Sequence, residues 1–96
     1  MNLLLIVYDV DFDEDVMNVI SASGATGYTK WDRVLGKGKN SDPKLDDSVW
    51  PGFNCAIITA VEDEKESALF DTLKDLLKQM EGKGLKVFSW PLGRVI

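Results

Sequence analysis

Two nearly continuous apolar runs limit the folds that this chain can adopt. Leu3 to Val10 reads LLLIVYDV and Cys55 to Val61 reads CAIITAV, and both runs are rich in branched side chains. Runs of this length without regular polar alternation are typical of strands that are buried on both faces. We therefore expect both segments to lie in the middle of one sheet.

The chain is short and acidic, which excludes several classes of function. Its 96 residues suit one domain, residues 1–96, and its formal charge of −5 disfavours binding to nucleic acid or anionic membranes. The sequence has no histidine and a single cysteine, so neither a zinc site nor a Cys–His or Ser–His pair can form within the chain. We expect Cys55 to be a buried strand residue.

Since no targeting or membrane-spanning pattern is evident, we also expect a cytoplasmic protein.

Two segments have the period of an amphipathic helix. In DVDFDEDVMNVISASG, Asp11 and Glu14 form a capping-box pattern, and Gly24 is placed to end a short helix. The segment EDEKESALFDTLKDLLKQMEGKG has acids at its start and Gly82 as a stop. Its apolar positions fall on one stripe, which contains Leu69, Phe70, Leu73, Leu76, Leu77 and Met80. The sequence therefore predicts a short first helix and a longer second one.

Two further strands complete the predicted fold. Tyr28 to Leu35 alternates large side chains, and Leu85 to Leu92 forms a last strand, with Pro91 at an edge or strand end. The order strand, helix, strand, strand, helix, strand is that of the α+β ferredoxin-like unit, βαββαβ. We therefore predict an antiparallel sheet with both helices on one face and a long loop between strands 2 and 3.

The face of the sheet away from the helices is also predicted to be apolar. Trp31, Phe88 and Trp90 give the edge strands more large apolar side chains than a solvated sheet face needs. We expect copies of the chain to cover this face, and packing within one chain is the alternative.

Two short segments of glycine and lysine predict a site for an anion. Gly36-Lys37-Gly38-Lys39 ends the second strand, and Gly82-Lys83-Gly84 precedes the last one. Glycine lets the backbone approach a ligand, and lysine supplies charge for phosphate. Each segment alone is a weak signal, because glycine C-caps with nearby lysines are ordinary.

Metal binding is a weaker interpretation of the acidic residues. Asp9, Asp11, Asp13 and Asp15 alternate like the first half of a calcium-binding loop, but the required glycine and final glutamate are missing. We attribute these acids to helix capping instead. A polar loop, approximately residues 37–53, offers at most a weak magnesium site from Asp42, Asp46 and Asp47.

The chain as a whole resembles the nitrogen-regulatory P-II signalling proteins. The resemblance is carried by GATGYTKWDRVLGKGK, the long polar loop, the second predicted helix and the closing KVFSWPLGRVI. It implies a ferredoxin-like homotrimer that binds ATP or ADP in clefts between subunits and is a regulator, not an enzyme. The positions that match the ligand-contacting segments of the family are Gly36, Gly38, Lys39, Gly82, Lys83 and Gly84. We add Lys37, which stands between two of them.

The resemblance also implies that the loop, called the T-loop in this family, docks onto a regulated enzyme or transporter. An effector at the loop base would favour one loop state over others. Family members continue with two phosphate-binding arginines, whereas this sequence stops at Ile96, so we expect an adenine nucleotide or another small anion as an exchangeable effector and no tightly bound cofactor. The loop residues assigned to the partner protein are Lys44, Asp46, Asp47, Ser48 and Trp50.

Two alternatives belong to other classes. A small ferredoxin-fold enzyme would use Asp32 or Tyr28 as acid or base, and it predicts a shifted pKa in a closed pocket. A trimer of the divalent-cation tolerance type shares the fold and the assembly, but the missing histidines weigh against it.

Overall fold

A computed structural model describes residues 1–25 and 27–96; Thr26, within the GATGYTK segment quoted above, is outside the described residues. The strands and helices follow the predicted order, with one extra 3₁₀ turn after the first strand. They are β1 (Asn2–Asp9), the 3₁₀ turn (Val10–Phe12), α1 (Asp13–Ala22), β2 (Thr29–Val34), β3 (Asn54–Val61), α2 (Asp63–Gln79) and β4 (Leu85–Pro91). No helix in the described part of the chain is long and apolar enough to cross a membrane.

The four strands form one antiparallel sheet in the order β2-β3-β1-β4. The two apolar runs are the central strands, as predicted, and pair with Leu4 opposite Thr59 and Ile6 opposite Ile57. β2 and β4 are the edges, and Pro91 is the last residue of β4. This is the predicted ferredoxin-like fold.

Both helices cover the same face of the sheet. Leu4, Ile6 and Tyr8 of β1 are almost completely buried there, in one cluster with residues of β3, β4 and both helices. Cys55 belongs to this cluster, which confirms its predicted place in a strand. The predicted stripe of α2 supplies Leu69 and Leu73 to the cluster.

The helix ends differ in detail from the prediction. The capping residue after β1 is Asp9, whose carboxylate accepts a hydrogen bond from the Asp11 amide, and α1 itself begins only at Asp13. Gly24 has a φ of 78° just after α1, as predicted for its stop. At the end of α2 the first left-handed residue is Glu81, with Gly82 after it. Since the amide of Gly82 bonds to the carbonyl of Leu77, the α2 end is a Schellman motif with glutamate where glycine is usual.

The predicted alternation of the second strand is wrong after Trp31. Trp31 pairs with Ala56, but the next paired residue is Val34, opposite Asn54, so β2 contains a bulge. A bulge puts an extra residue on one strand and shifts every later side chain to the other face. The sequence pattern alone does not locate such an insertion, because it depends on the register with β3.

The sheet face away from the helices is left uncovered in one chain. We call it the open face. The strand pairing places these apolar residues on it: Leu3, Leu5, Val7, Trp31, Ala56, Ile58, Ala60, Phe88 and Trp90. Trp31, Phe88 and Trp90 are 47, 45 and 42% exposed, which agrees with their predicted placement on edge strands.

Candidate functional site

The base of the long loop is closed by backbone pairing. Gly36 and Lys44 form an isolated antiparallel bridge, in which each amide donates to the other residue's carbonyl at 2.9 and 2.7 Å. Residues 37–43 therefore form a turn beyond the end of β2. At the turn, a Cβ on Gly38 would lie 2.5 Å from Ser41 Oγ, a contact that Ser41 can relieve by rotating its side chain.

The second half of the loop is held by its own acidic residues. The Asp47 carboxylate accepts hydrogen bonds from the amides of Val49 and Trp50, at 3.0 and 2.6 Å. Asp46 has a φ of 52°, donates its amide to the carbonyl of Gly52, and forms an ion pair with Arg33. Gly52, which follows Pro51, has the positive φ of 90° that the third position of a type II turn requires.

Lys44 joins the loop to the end of the sheet. Its Nζ lies 3.0 Å from Asp9 Oδ2, and its side chain passes Gly52, where a Cβ would stand 3.5 Å from Lys44 Cδ. The Asp9 side chain is only 14% exposed, and its other carboxylate oxygen caps the 3₁₀ turn. Both oxygens of Asp9 are therefore engaged.

The second glycine segment meets the same aspartate. The amide of Asp9 donates to the carbonyl of Gly84 at 2.9 Å. A Cβ on Gly84 would come within 3.3 Å of Met80 and Phe12, and its φ of 83° is unfavourable for other residues. Asp9 thus links the loop base to the glycine turn, and we call Asp9, Gly36, Lys44, Gly52 and Gly84 the rim.

The predicted ligand residues are distributed unevenly around the rim. The backbones of Gly36 and Gly84 belong to it, whereas Lys39, Gly82 and Lys83 are exposed beside it. Lys37 is also exposed and donates from Nζ to the carbonyl of Gly38 at 3.2 Å. The lysine whose ammonium lies at the rim is Lys44, which the sequence had assigned to partner contacts.

Sequence reasoning missed Asp9 as a rim residue, because the aspartate was counted among the helix-capping acids. A signal was present, since Asp9 is the single charged residue of the run from Leu3 to Val10 and lies near its end, where a central strand leaves the sheet. The other loop residues assigned to a partner, Asp46, Asp47, Ser48 and Trp50, are all exposed.

A polar group lies close by on the helix side of the sheet. Tyr8 donates its hydroxyl to Asp13 Oδ1 at 2.6 Å, and Lys30 Nζ lies 2.8 Å from the same oxygen. The Lys30 ammonium and the Tyr8 hydroxyl lower the pKa of Asp13, and the carboxylate in turn raises the pKa of Lys30. Burial, followed by the hydrogen bond to Asp13, raises the pKa of Tyr8, and burial raises that of Cys55. This group ties β1, α1 and β2 together.

The residues of the alternative functions are placed differently. Asp32 and Tyr28, the acid or base of a hypothetical enzyme, both have exposed side chains. Within residues 1–25 and 27–96, no three acidic or cysteine side chains come together to hold a metal ion. A shallow groove on the helix surface, lined by Asn18, Val19 and Thr72 among others, lies between α1 and α2.

Comparisons with known proteins agree with this architecture. The family model of nitrogen regulatory protein P-II matches residues 1–96. Among curated proteins, no sequence matches the chain significantly. The solved structures that resemble it include CPII, a nitrogen regulatory PII-like protein from Thiomonas intermedia K12 bound to ADP, AMP and bicarbonate. That match has a TM-score of 0.69 and 22% identity, covering 92% of this chain and 86% of CPII.

A second solved structure has the same fold at lower identity. It is a DUF3240 family protein from Shewanella baltica OS155, with a TM-score of 0.72 and 13% identity, covering 98% of this chain and 91% of that one. At such identities the likeness establishes the fold, while the family match spans every residue. The chain belongs to the nitrogen regulatory protein P-II family.

Proposed function

We propose that this protein is a P-II-like signalling protein that binds an adenine nucleotide or a similar small anion at the rim and signals through its loop. The observation that carries the proposal is the contact of Lys44 with Asp9, which is itself bonded to Gly84. A ligand at this position touches the loop base and the glycine turn together. Its presence is therefore transmitted to residues 37–53, the effector loop.

The chemistry around the rim favours a phosphate-bearing ligand. In the two glycine segments the amides of Gly36, Gly82 and Lys83 are bonded to backbone carbonyls, so the lysine side chains of these segments are the main donors for an anion. Four lysines lie in or next to these segments, namely Lys37, Lys39, Lys44 and Lys83, and their ammonium groups can bind phosphate. CPII from Thiomonas intermedia, which binds ADP and AMP, supports nucleotides as the first ligands to examine. The ligand is exchangeable, and no tightly bound cofactor is proposed.

The open face supports a homotrimer with the ligand in clefts between subunits. Trp31, Phe88 and Trp90 are too exposed in a single chain to be left in water, together with the apolar centre formed by Leu5 and Ile58. Covering this face with other copies brings neighbouring subunits to the edges of the sheet. The rim, at the end of the same sheet, then faces a neighbour.

A regulatory role accounts for the exposed loop better than catalysis does. Asp46, Asp47, Ser48 and Trp50 are exposed in the second half of the loop, where a target enzyme or transporter can contact them together with the partly exposed Lys44. The candidate acid or base residues Asp32 and Tyr28 are exposed to water. We propose a cytoplasmic regulator that is not an enzyme and does not bind nucleic acid or insert into membranes.

Calorimetry on protein of known mass tests this function. The mass is first measured by light scattering, and ATP, ADP and AMP are then titrated with and without magnesium. We expect about one site per chain in a trimer, and a loss of about tenfold in affinity for Lys39→Ala. Lys74→Ala, which removes the same charge from the exposed surface of α2, serves as the matched control.

Two outcomes would contradict the proposal. Absence of binding for all three nucleotides at millimolar concentration would reject the nucleotide as effector. Equal affinities for the Lys39→Ala and Lys74→Ala variants would reject Lys39 as a ligand-binding residue.

A further inference from the structure

The carboxylate of Asp9 forms an ion pair with Lys44, the loop lysine whose ammonium lies at the rim. We infer that Asp9 is an internal competitor of the anionic effector: it holds Lys44 when the site is empty, and the effector releases the loop by taking Lys44 from it. This inference rests on the proposed function, because it specifies how binding at that site is regulated.

The ion pair and the loop closure share one residue. Lys44 makes both backbone hydrogen bonds of the bridge to Gly36, and the same residue's Nζ contacts Asp9. The side chain reaches Asp9 alongside Gly52, where a Cβ would lie in ordinary van der Waals contact with Lys44 Cδ. A change in the partner of the ammonium therefore acts directly on the residue that closes the loop.

Asp9 is fixed and cannot follow Lys44. One of its carboxylate oxygens accepts the Asp11 amide at 2.9 Å, and its own amide is bonded to Gly84. If Lys44 moves to another anion, Asp9 stays in place and the ion pair between them is broken. The competition is between two anions for one cation, because carboxylate and phosphate both bind an ammonium well.

The two loop states must differ in their affinity for the effector. In the observed state an incoming phosphate meets a neutralised ammonium beside a negative carboxylate, whereas in the released state it meets an unpaired ammonium. A ligand shifts a conformational equilibrium only through such a difference in affinity, and the coupling is reciprocal. Anion binding therefore favours the released loop, and release of the loop favours anion binding.

The observed loop conformation depends on contacts that hold its second half in place. Asp46, two residues beyond Lys44, has a left-handed φ of 52°, which is disfavoured for a residue with a Cβ, and it is kept there by Arg33 and by Gly52. Once Lys44 leaves Asp9, this strained turn favours a change of loop shape.

The test compares Asp9→Asn with Asp11→Asn. Asparagine at position 9 keeps an oxygen for the Asp11 amide but removes the charge that holds Lys44. The control removes the same charge two residues away, where the side chain is exposed. Lys44→Met removes the other partner of the ion pair, and it replaces Asp9→Asn in the test if that variant folds poorly.

Amide hydrogen exchange in the free protein measures how well the ion pair of Lys44 with Asp9 holds the loop closed. Calorimetry measures the competition between Asp9 and ADP for Lys44. We expect Asp9→Asn and Lys44→Met to speed exchange of the Gly36 and Lys44 amides by about tenfold, with little change in Asp11→Asn. We expect ADP to bind Asp9→Asn about fivefold more tightly than Asp11→Asn, and Lys44→Met more weakly than wild type.

Each remaining outcome decides one part of the inference. Unchanged exchange in Asp9→Asn and Lys44→Met would show that the ion pair does not hold the loop. Equal ADP affinities in the two aspartate variants would reject the competition. If neither wild type nor Asp9→Asn binds ADP, ADP is rejected as the effector and the competition for it fails, while the exchange rates still decide whether Asp9 holds the loop.

Discussion

The two faces of the sheet are both apolar, but only one is covered within the chain. On β1, Leu4 and Ile6 face the helices and are fully buried, whereas Leu3 and Leu5, their immediate neighbours, face the other way and stay partly exposed. A strand alternates its side chains between faces, so a continuous apolar run supplies two surfaces. The helices use one of them, and the other is available to further copies of the chain.

The difference between the two faces matters for the rim, because the rim lies at the end of the sheet and is next to both faces. Phe12 and Met80, which belong to or pack against the core under the helices, lie beside Gly84, whose carbonyl accepts the Asp9 amide. In the proposed assembly, the open face would determine where a neighbouring subunit lies. The effector site is therefore expected to depend on the stability of the first face and on the assembly made by the second.

A charge in the centre of the open face is expected to have the largest effect. Ile58 lies opposite Leu5 and Thr29, and Ile58→Asp would place an unpaired carboxylate in the contact between copies at a cost of several kcal/mol. We expect light scattering to give the mass of a single chain, with the circular dichroism spectrum unchanged. Val49→Asp, at an exposed loop position, is the control; a variant at Ile58 with wild-type mass would contradict the assembly on this face.

Truncation of leucines on the two faces should separate folding from assembly. Leu73→Ala removes a fully buried side chain under the helices and is expected to lower the free energy of unfolding by about 3–5 kcal/mol. Leu5→Ala should cost less, and its cost should grow with protein concentration, because it acts through assembly. Urea unfolding at low and high concentration measures both. If the cost of Leu5→Ala is independent of concentration, the open face is not an interface.

Acid should weaken the helix-covered face through Asp13. The folded-state pKa of this carboxyl is lowered by Lys30 and Tyr8, so its contribution is present above the unfolded value near 4 and is lost as pH falls through the folded pKa. Lys30→Met should reduce the stability at neutral pH and flatten its dependence on pH in the acid range. Urea unfolding at several pH values, with Lys74→Met as control, measures this. Equal acid slopes for the two variants would show that the pair with Lys30 does not lower the pKa of Asp13.

The smallest expected effect is a gain at the end of α2. Glu81 has a φ of 60° where a Schellman motif favours glycine, so Glu81→Gly should raise the free energy of unfolding by about 1 kcal/mol. The change lies on the helix side of the molecule, and we expect the mass in solution to remain unchanged. A loss of stability would mean that the Glu81 side chain makes a compensating contribution.

The fold was predictable because it depends on local patterns. The apolar runs at Leu3 to Val10 and Cys55 to Val61 identified the central strands, and the stripe of Leu69 and Leu73 identified α2. These patterns repeat over many residues, so one irregular position does not obscure them.

The site was predictable only in part because it depends on single long-range contacts. The glycine segments located the turns, but the contact of Lys44 with Asp9 joins residues that are 35 positions apart. Nothing in the sequence selects Lys44 over Lys37 or Lys39 for that carboxylate. The bulge after Trp31 was missed for the same reason, since register is a property of two strands together.

The most direct test of the account is to locate ADP on the protein by NMR. Titration of ¹⁵N-labelled protein with ADP should move the amide signals of Gly36, Lys44 and Gly84 most, because these residues form the rim. Changes concentrated in the groove between α1 and α2, at Asn18 and Thr72, would contradict the account. So would an unchanged spectrum at millimolar ADP.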